Sequence, residues 1–171
     1  QDDMGSTGDP RAHGTLVSGI IAAAGNNGQG VAGVAWNTRL MTVKVLDCEG
    51  KGWMANVAQG IEYAVKNGAR IINISVASDG SITANESSVL RAALQMAQNA
   101  GVIVVAAAGN EARTGDVGTR YPAAYTDFPN LIGVGASNNL NGNEWATYSN
   151  YGPAVDFAAP GALIAQPHRD H

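Results

Sequence analysis

Residues 102–108 read VIVVAAA, an apolar run with no charge or turn residue before Gly109. It is far short of the ~20 residues needed to span a membrane as a helix. Its β-branched start and flanking glycines mark a strand covered on both faces. Such strands belong to parallel sheets, where crossover helices pack on the sheet. This run therefore narrows the fold more than any other stretch of the chain.

The surrounding segments fit the same architecture. Residues 14–24 read as an apolar helix ended by Gly25, and residues 39–46, RLMTVKVL, alternate like a strand. Residues 53–67 carry apolar positions at helical spacing and stop at Gly68. Residues 69–76, ARIINISV, form a second predicted strand. A third helix is predicted over 86–100, capped by Asn85 and stopped by Gly101. Residues 131–136 and 154–159 are shorter strand candidates, and residues 1–12 are loop-like. Regular alternation of strand and helix implies an α/β fold, a parallel β-sheet flanked by helices on both faces, with right-handed crossovers. In such sheets the working groups gather at the C-terminal ends of the strands.

Composition supports one globular domain over 1–171. The chain is 45% hydrophobic and only 14% charged, against ~25% charged in ordinary proteins. A net charge of −4 without a basic block gives no case for nucleic acid or an anionic membrane. Cys48 is the only cysteine, so no internal disulfide forms. The opening QDDMGSTGDP lacks a signal-peptide pattern, as a processed chain also would. Trp36, Trp53 and Trp145 need no ligand; packing explains them. His168 and His171, with Asp170 between them, read as a terminal tail rather than a metal pair.

Two residues have positions suited to chemistry. His13 heads a helix, where the free amides oppose its cationic form. Asn110 follows the apolar strand in AAAGNEA, where an amide N–H can face a cleft as an oxyanion donor. Each also has a structural reading: a helix-start histidine often caps, and Gly-Asn is an ordinary turn.

The ordered set HGTLVSGIIAA, VAGVAW, VKVLDCEGKG, INISV, VVAAAGNEA, YPAAY, GVGAS and YSNYGPAVDFAAPG closely resembles the subtilisin family of serine peptidases, from about His13 to Gly161. The resemblance implies a three-layer α/β sandwich and peptide-bond hydrolysis through an acyl-enzyme. It makes His13 the general base and Asn110 the side-chain oxyanion donor. The strand DCEGKG, Asp47 to Gly52, with Glu49, Gly50, Lys51 and Gly52, would line one side of a substrate groove. Ser75, Val76 and Ala77 would line the other, and Ala106, Ala107, Ala108 and Gly109 would wall a specificity pocket. A peptide would lie between them as an added strand.

By the same resemblance, the Gly-rich loop GNNGQG, residues 25–30, would wrap calcium through Asn26, its other ligands lying outside the chain. Ala123, Tyr125 and Asp156 would form a weaker cation site, and Tyr121-Pro122 matches a position where a cis bond is common. Neither cation would enter the chemistry. An extracellular location is also implied.

The chain departs from the pattern at Ala12 and Ala77, where the family usually has glycine, and at Val76, where it commonly has leucine. Asp2, Asp3 and Asp9 lack the Asp-Thr-Gly setting of the family's acid. The Gly-Thr-Ser motif of its nucleophile does not occur. AQPH in the tail would put Leu163 at the serine's place, and Ser149 belongs to a structural element. The resemblance thus implies a domain incomplete at both ends, with 162–171 outside the match, the triad acid and nucleophile absent, and the chain inactive alone. It also implies self-association through an exposed sheet edge. The alternatives are a non-catalytic homologue serving as a peptide-binding or structural module, and a nucleotide-binding α/β domain. The last is disfavoured because no strand ends in Gly-x-Gly-x-x-Gly.

Overall fold

The computed structural model describes residues 13–112, 120–138 and 144–165. Its contacts divide the chain into two units, one of residues 1–53 and 165–171, the other of Met54–Ile164.

The first unit contains helix α1, His13–Ala22. The helix ends three residues before Gly25, the expected stop. Its last carbonyls are taken by a returning segment: Val34 N–H donates to Ile20 O (3.1 Å), Ala35 to Ile21 O (2.8 Å) and Gly33 to Ala23 O (2.9 Å). Backbone amides thus supply the caps that a C-terminal glycine motif supplies elsewhere. Gly33 is required by this closeness, since a Cβ there would stand 2.6 Å from Ala22 N. Residues 39–46, expected as a strand, belong to no strand. Their alternating pattern finds no ladder partner, and Leu40 and Met41 remain exposed.

The second unit holds the sheet. Helix α2, Met54–Lys66, buries Met54, Val57, Ala58, Ile61 and Ala64 along one stripe. Strand β1, Ile71–Ile74, follows. Helix α3, Ala84–Asn99, buries Leu90, Ala93, Leu94 and Ala97. Strands β2, Ile103–Ala107, β3, Leu131–Ser137, and β4, Phe157–Pro160, complete the order β1-β2-β3-β4, all parallel.

Both helices end the same way. Gly68 (φ 82°) and Gly101 (φ 68°) adopt the left-handed conformation. Ala69 N–H donates back to Ala64 O (3.0 Å) and Val102 N–H to Ala97 O (2.9 Å). These are Schellman closures, and each turns its helix straight into the following strand. The N-cap of α3 is Thr83, not Asn85. Its hydroxyl accepts from Glu86 N–H (3.2 Å) while the Glu86 carboxylate accepts from Thr83 N–H (3.0 Å), a complete capping box.

Helix α3 packs on α2 and on β2. The parallel register places Ile74, Ala106 and Gly133 side by side on one face of the sheet, all buried. The opposite face carries Ile71, Ile103 and Phe157, which stay 64%, 42% and 63% exposed. The apolar run is therefore covered fully on one face and partly on the other.

Candidate active site

Asn110 stands in an exposed turn three residues past the end of β2. The backbone on both sides of it is tied down. Ala108 N–H donates to Val134 O (2.9 Å), and Ala108 O accepts from Arg120 N–H (3.0 Å). Gly109 O accepts from Asn150 N–H (3.0 Å), and Ala112 N–H donates to Tyr148 O (2.8 Å). The carboxamide of Asn110 is thus carried on a rigid base at the C-terminal edge of the sheet, as parallel α/β topology favours.

Beneath the turn lies a polar cluster that sequence reasoning did not single out. Buried Asn150 donates from Nδ2 to Ala108 O (3.1 Å) and to Glu111 Oε2 (2.6 Å). Its Oδ1 accepts from Glu111 N–H (3.1 Å). Arg120, also buried, donates from Nε to the same Glu111 oxygen at 3.0 Å. Burial pushes the Glu111 carboxyl up. Hydrogen bonds from Asn150 and Arg120, the Arg120 charge and the Asn110 backbone amide outweigh it and hold the group below the ordinary glutamate range. Gly109 (φ 109°) fits over this cluster; a Cβ there would meet Asn150 and would lie 2.7 Å from Arg120 Cγ and 2.8 Å from Glu111 Oε2.

The structure brings several expected groove residues together. Register pairs Ile74 with Ala106. Ser75, Val76 and Ala77 therefore leave β1 beside the end of β2 that carries Ala107, Ala108 and Gly109. Ser75 accepts from Asn73 Nδ2 (2.8 Å). Ser149, by contrast, is buried and committed: its hydroxyl donates to Asn150 O (2.9 Å) and accepts from Ala136 N–H (2.9 Å). A hydroxyl held this way by the backbone is not free to attack a substrate.

His13 and the 49–52 edge belong to the first unit, Asn110 and the 75–77 edge to the second. His13 is the exposed first residue of α1. Residues 47–52, expected as a strand, instead form a tight turn, because the chain folds back on Asp47, whose Oδ1 accepts from Glu49 N–H (2.9 Å) and Lys51 N–H (2.9 Å). The Lys51 and Glu49 amides, in that order, hold the Asp47 carboxyl below its usual range. Gly50 takes a left-handed φ of 78° within this turn, and Glu49 pairs with Lys51 at 2.8 Å. Sequence reasoning named residues 49–52 but not Asp47 as their organiser, although an aspartate two residues before a Gly-containing turn is the usual signal.

Of the cation residues, Asn26 (φ 57°) lines a cavity of about 240 Å³ formed by residues 24–32. Tyr125 and Asp156 line another of about 260 Å³, which Ala123 does not line. One Asp156 oxygen already accepts from Gly133 N–H (2.7 Å), leaving the other for a ligand. The Tyr121-Pro122 bond is cis. Among the described residues, no three His, Cys, Asp or Glu side chains cluster as metal ligands, and no helix is long and apolar enough to cross a membrane. Asp2, Asp3, Asp9, Ala12, His168, Asp170 and His171 lie outside the described residues.

A parallel α/β sheet with an asparagine turn at its C-terminal edge defines the class, and comparison with known proteins defines the family. The sequence profile of the subtilase family, peptidase S8, matches residues 1–169. The chain belongs to the subtilase family. It is 46% identical over 156 residues to a thermostable alkaline protease of Halalkalibacterium halodurans, covering 91% of this chain and 39% of that protein. It is 42% identical over 159 residues to subtilisin BL of Lederbergia lenta, covering 93% and 54%. A protease structure from Pseudoalteromonas arctica superposes with a TM-score of 0.75 at 34% identity, covering 88% of this chain and 44% of that one. The chain thus spans about half the length, or less, of these relatives.

Proposed function

We propose that this chain supplies the general base, His13, and the side-chain oxyanion donor, Asn110, of a subtilisin-type serine endopeptidase. The observation that carries the reading is the Asn110 turn, held from both sides at the C-terminal edge of a parallel sheet. In that role His13 takes the proton of an attacking hydroxyl and returns it to the leaving amine, while the Asn110 carboxamide N–H stabilises the negative oxygen of the tetrahedral intermediate. Extended peptides lie along Ser75–Ala77 and Glu49–Gly52, and Ala107, Ala108 and Gly109 wall the pocket for one side chain. The acid and nucleophile of the triad are not among these 171 residues, so the chain alone does not turn over peptides.

Calcium at the Asn26 loop, and a second cation held by carbonyl oxygens of Ala123 and Tyr125 with Asp156, are structural parts of the same proposal. Oxygen donors suit a hard cation, and the free Asp156 oxygen fits that use. We place the protein outside the cell on family resemblance, and the exposed sheet face supports self-association.

Two assays test the reading. The purified chain is exposed to a serine-directed fluorophosphonate and to a peptide substrate; neither labelling nor cleavage is expected, and stoichiometric labelling of one serine would overturn the assignment. The chain is then substituted for the matching stretch of the 46% identical alkaline protease. A folded chimera that cleaves peptides, and loses this with His13→Ala, is the expected result; a folded but inactive chimera contradicts it and favours a non-catalytic peptide-binding module.

A further inference from the structure

We infer that Glu111, Arg120 and Asn150 are positioning residues that fix the Asn110 carboxamide, an assignment resting on the reading of Asn110 as oxyanion donor. An exposed turn by itself lets its side chain wander. A donor aids catalysis only when it is aimed before charge develops, and a 1 Å misplacement can cost on the order of 10²-fold.

The cluster answers that need in a particular way. The side chains of Asn150 and Glu111 reach the backbone of the turn directly, and Arg120 reaches it through its own amide while its guanidinium holds the Glu111 carboxylate. Asn150 is 0% exposed and bridges Ala108 O on one side of the turn to Glu111 N–H on the other. Glu111 keeps 35% of its side chain exposed, and one carboxylate oxygen collects Asn150 Nδ2 and Arg120 Nε. Arg120 reaches the turn twice, through its guanidinium to Glu111 and through its own amide to Ala108 O. Gly109 admits this closeness, because any side chain there would enter the cluster. A carboxylate bound at one oxygen by two donors, one of them a buried guanidinium, is stiff, since charge-assisted hydrogen bonds exceed neutral ones in strength.

The same charges could instead greet a charged substrate side chain. Geometry favours positioning: the Arg120 side chain is only 7% exposed and is turned to Glu111, and Asn150 is closed to solvent.

The test uses the uniformly ¹⁵N-labelled 171-residue chain, with Glu111→Gln and Arg120→Met. Amide hydrogen exchange and the Asn110 carboxamide signals are read by NMR. The expected result is more than tenfold faster exchange at Asn110, Glu111 and Ala112, and convergence of the two Asn110 carboxamide proton shifts. The β2 amides, Val104 to Ala106, keep their protection. Unchanged exchange at 110–112 in both variants overturns the assignment. So does loss of protection through β2 in step with the turn, which marks a role in global stability alone. Because this measurement needs no turnover, its failure is distinct from failure of the oxyanion reading, which shows as undiminished activity of Asn110→Ala in the chimera.

Discussion

Gly109 shows how closely single residues are constrained around the candidate site. Its φ of 109° strains any L side chain, and a Cβ would collide with Asn150. Gly109→Ala is therefore expected to cost more than about 2 kcal/mol in urea unfolding; a loss under about 0.5 kcal/mol would show that the turn relaxes freely. Glu111 sets a pH dependence. Its carboxyl is depressed in the folded state, so its contribution is fully present above the unfolded value and is lost as pH falls through the folded one. Wild-type stability should therefore fall more steeply below about pH 4.3, the ordinary glutamate value, than that of Glu111→Gln. Parallel acid curves for the two proteins would contradict the assignment. The turn at Asn110 is legible in the sequence because Gly-Asn follows an apolar strand, whereas the role proposed for it comes from the family resemblance. Its supports are not legible there, because Asn150 lies 39 residues from Glu111 and only folding brings them together.

At the scale of elements, the local signals were mostly readable. Gly68 and Gly101 each follow a helical stripe and precede an apolar strand, and both form the closures that pattern implies. The α3 cap was also present in the sequence, as Thr83-x-x-Glu86, although Asn85 was the more conspicuous residue. Thr83→Ala is expected to lower stability by about 1 kcal/mol, and Leu94→Ala, at a fully buried site, by about 2–5 kcal/mol. Thermal unfolding distinguishes these; equal shifts for the two would contradict the burial assigned to α3. Residues 39–46 were misread for a different reason. Alternation reports the fitness of a segment for pairing, whereas a strand exists only where a neighbour completes its ladder.

At the scale of the molecule, the parallel α/β class followed from the alternation of segments, and family membership followed from ordered motifs across most of the chain. The resemblance also implies an exposed sheet edge, and the structure adds how far the sheet's second face is open. There Ile71, Ile103 and Phe157 are exposed together, and β1 and β4 are edge strands. Light scattering is expected to show a concentration-dependent mass above the 17.5 kDa monomer, reduced by Ile103→Glu. A monomer at all concentrations would contradict this. Residues 49–52 and 75–77 belong to different units, each with its own backbone anchors.

The most direct test of the central claim is the turnover number of the alkaline-protease chimera with Asn110→Ala. The expected result is a fall of about 10²–10³-fold in kcat at nearly constant KM, a magnitude taken from the loss of such a donor in subtilisin rather than derived from this structure. A kcat within twofold of the unmutated chimera would show that the Asn110 carboxamide does not stabilise the developing oxyanion.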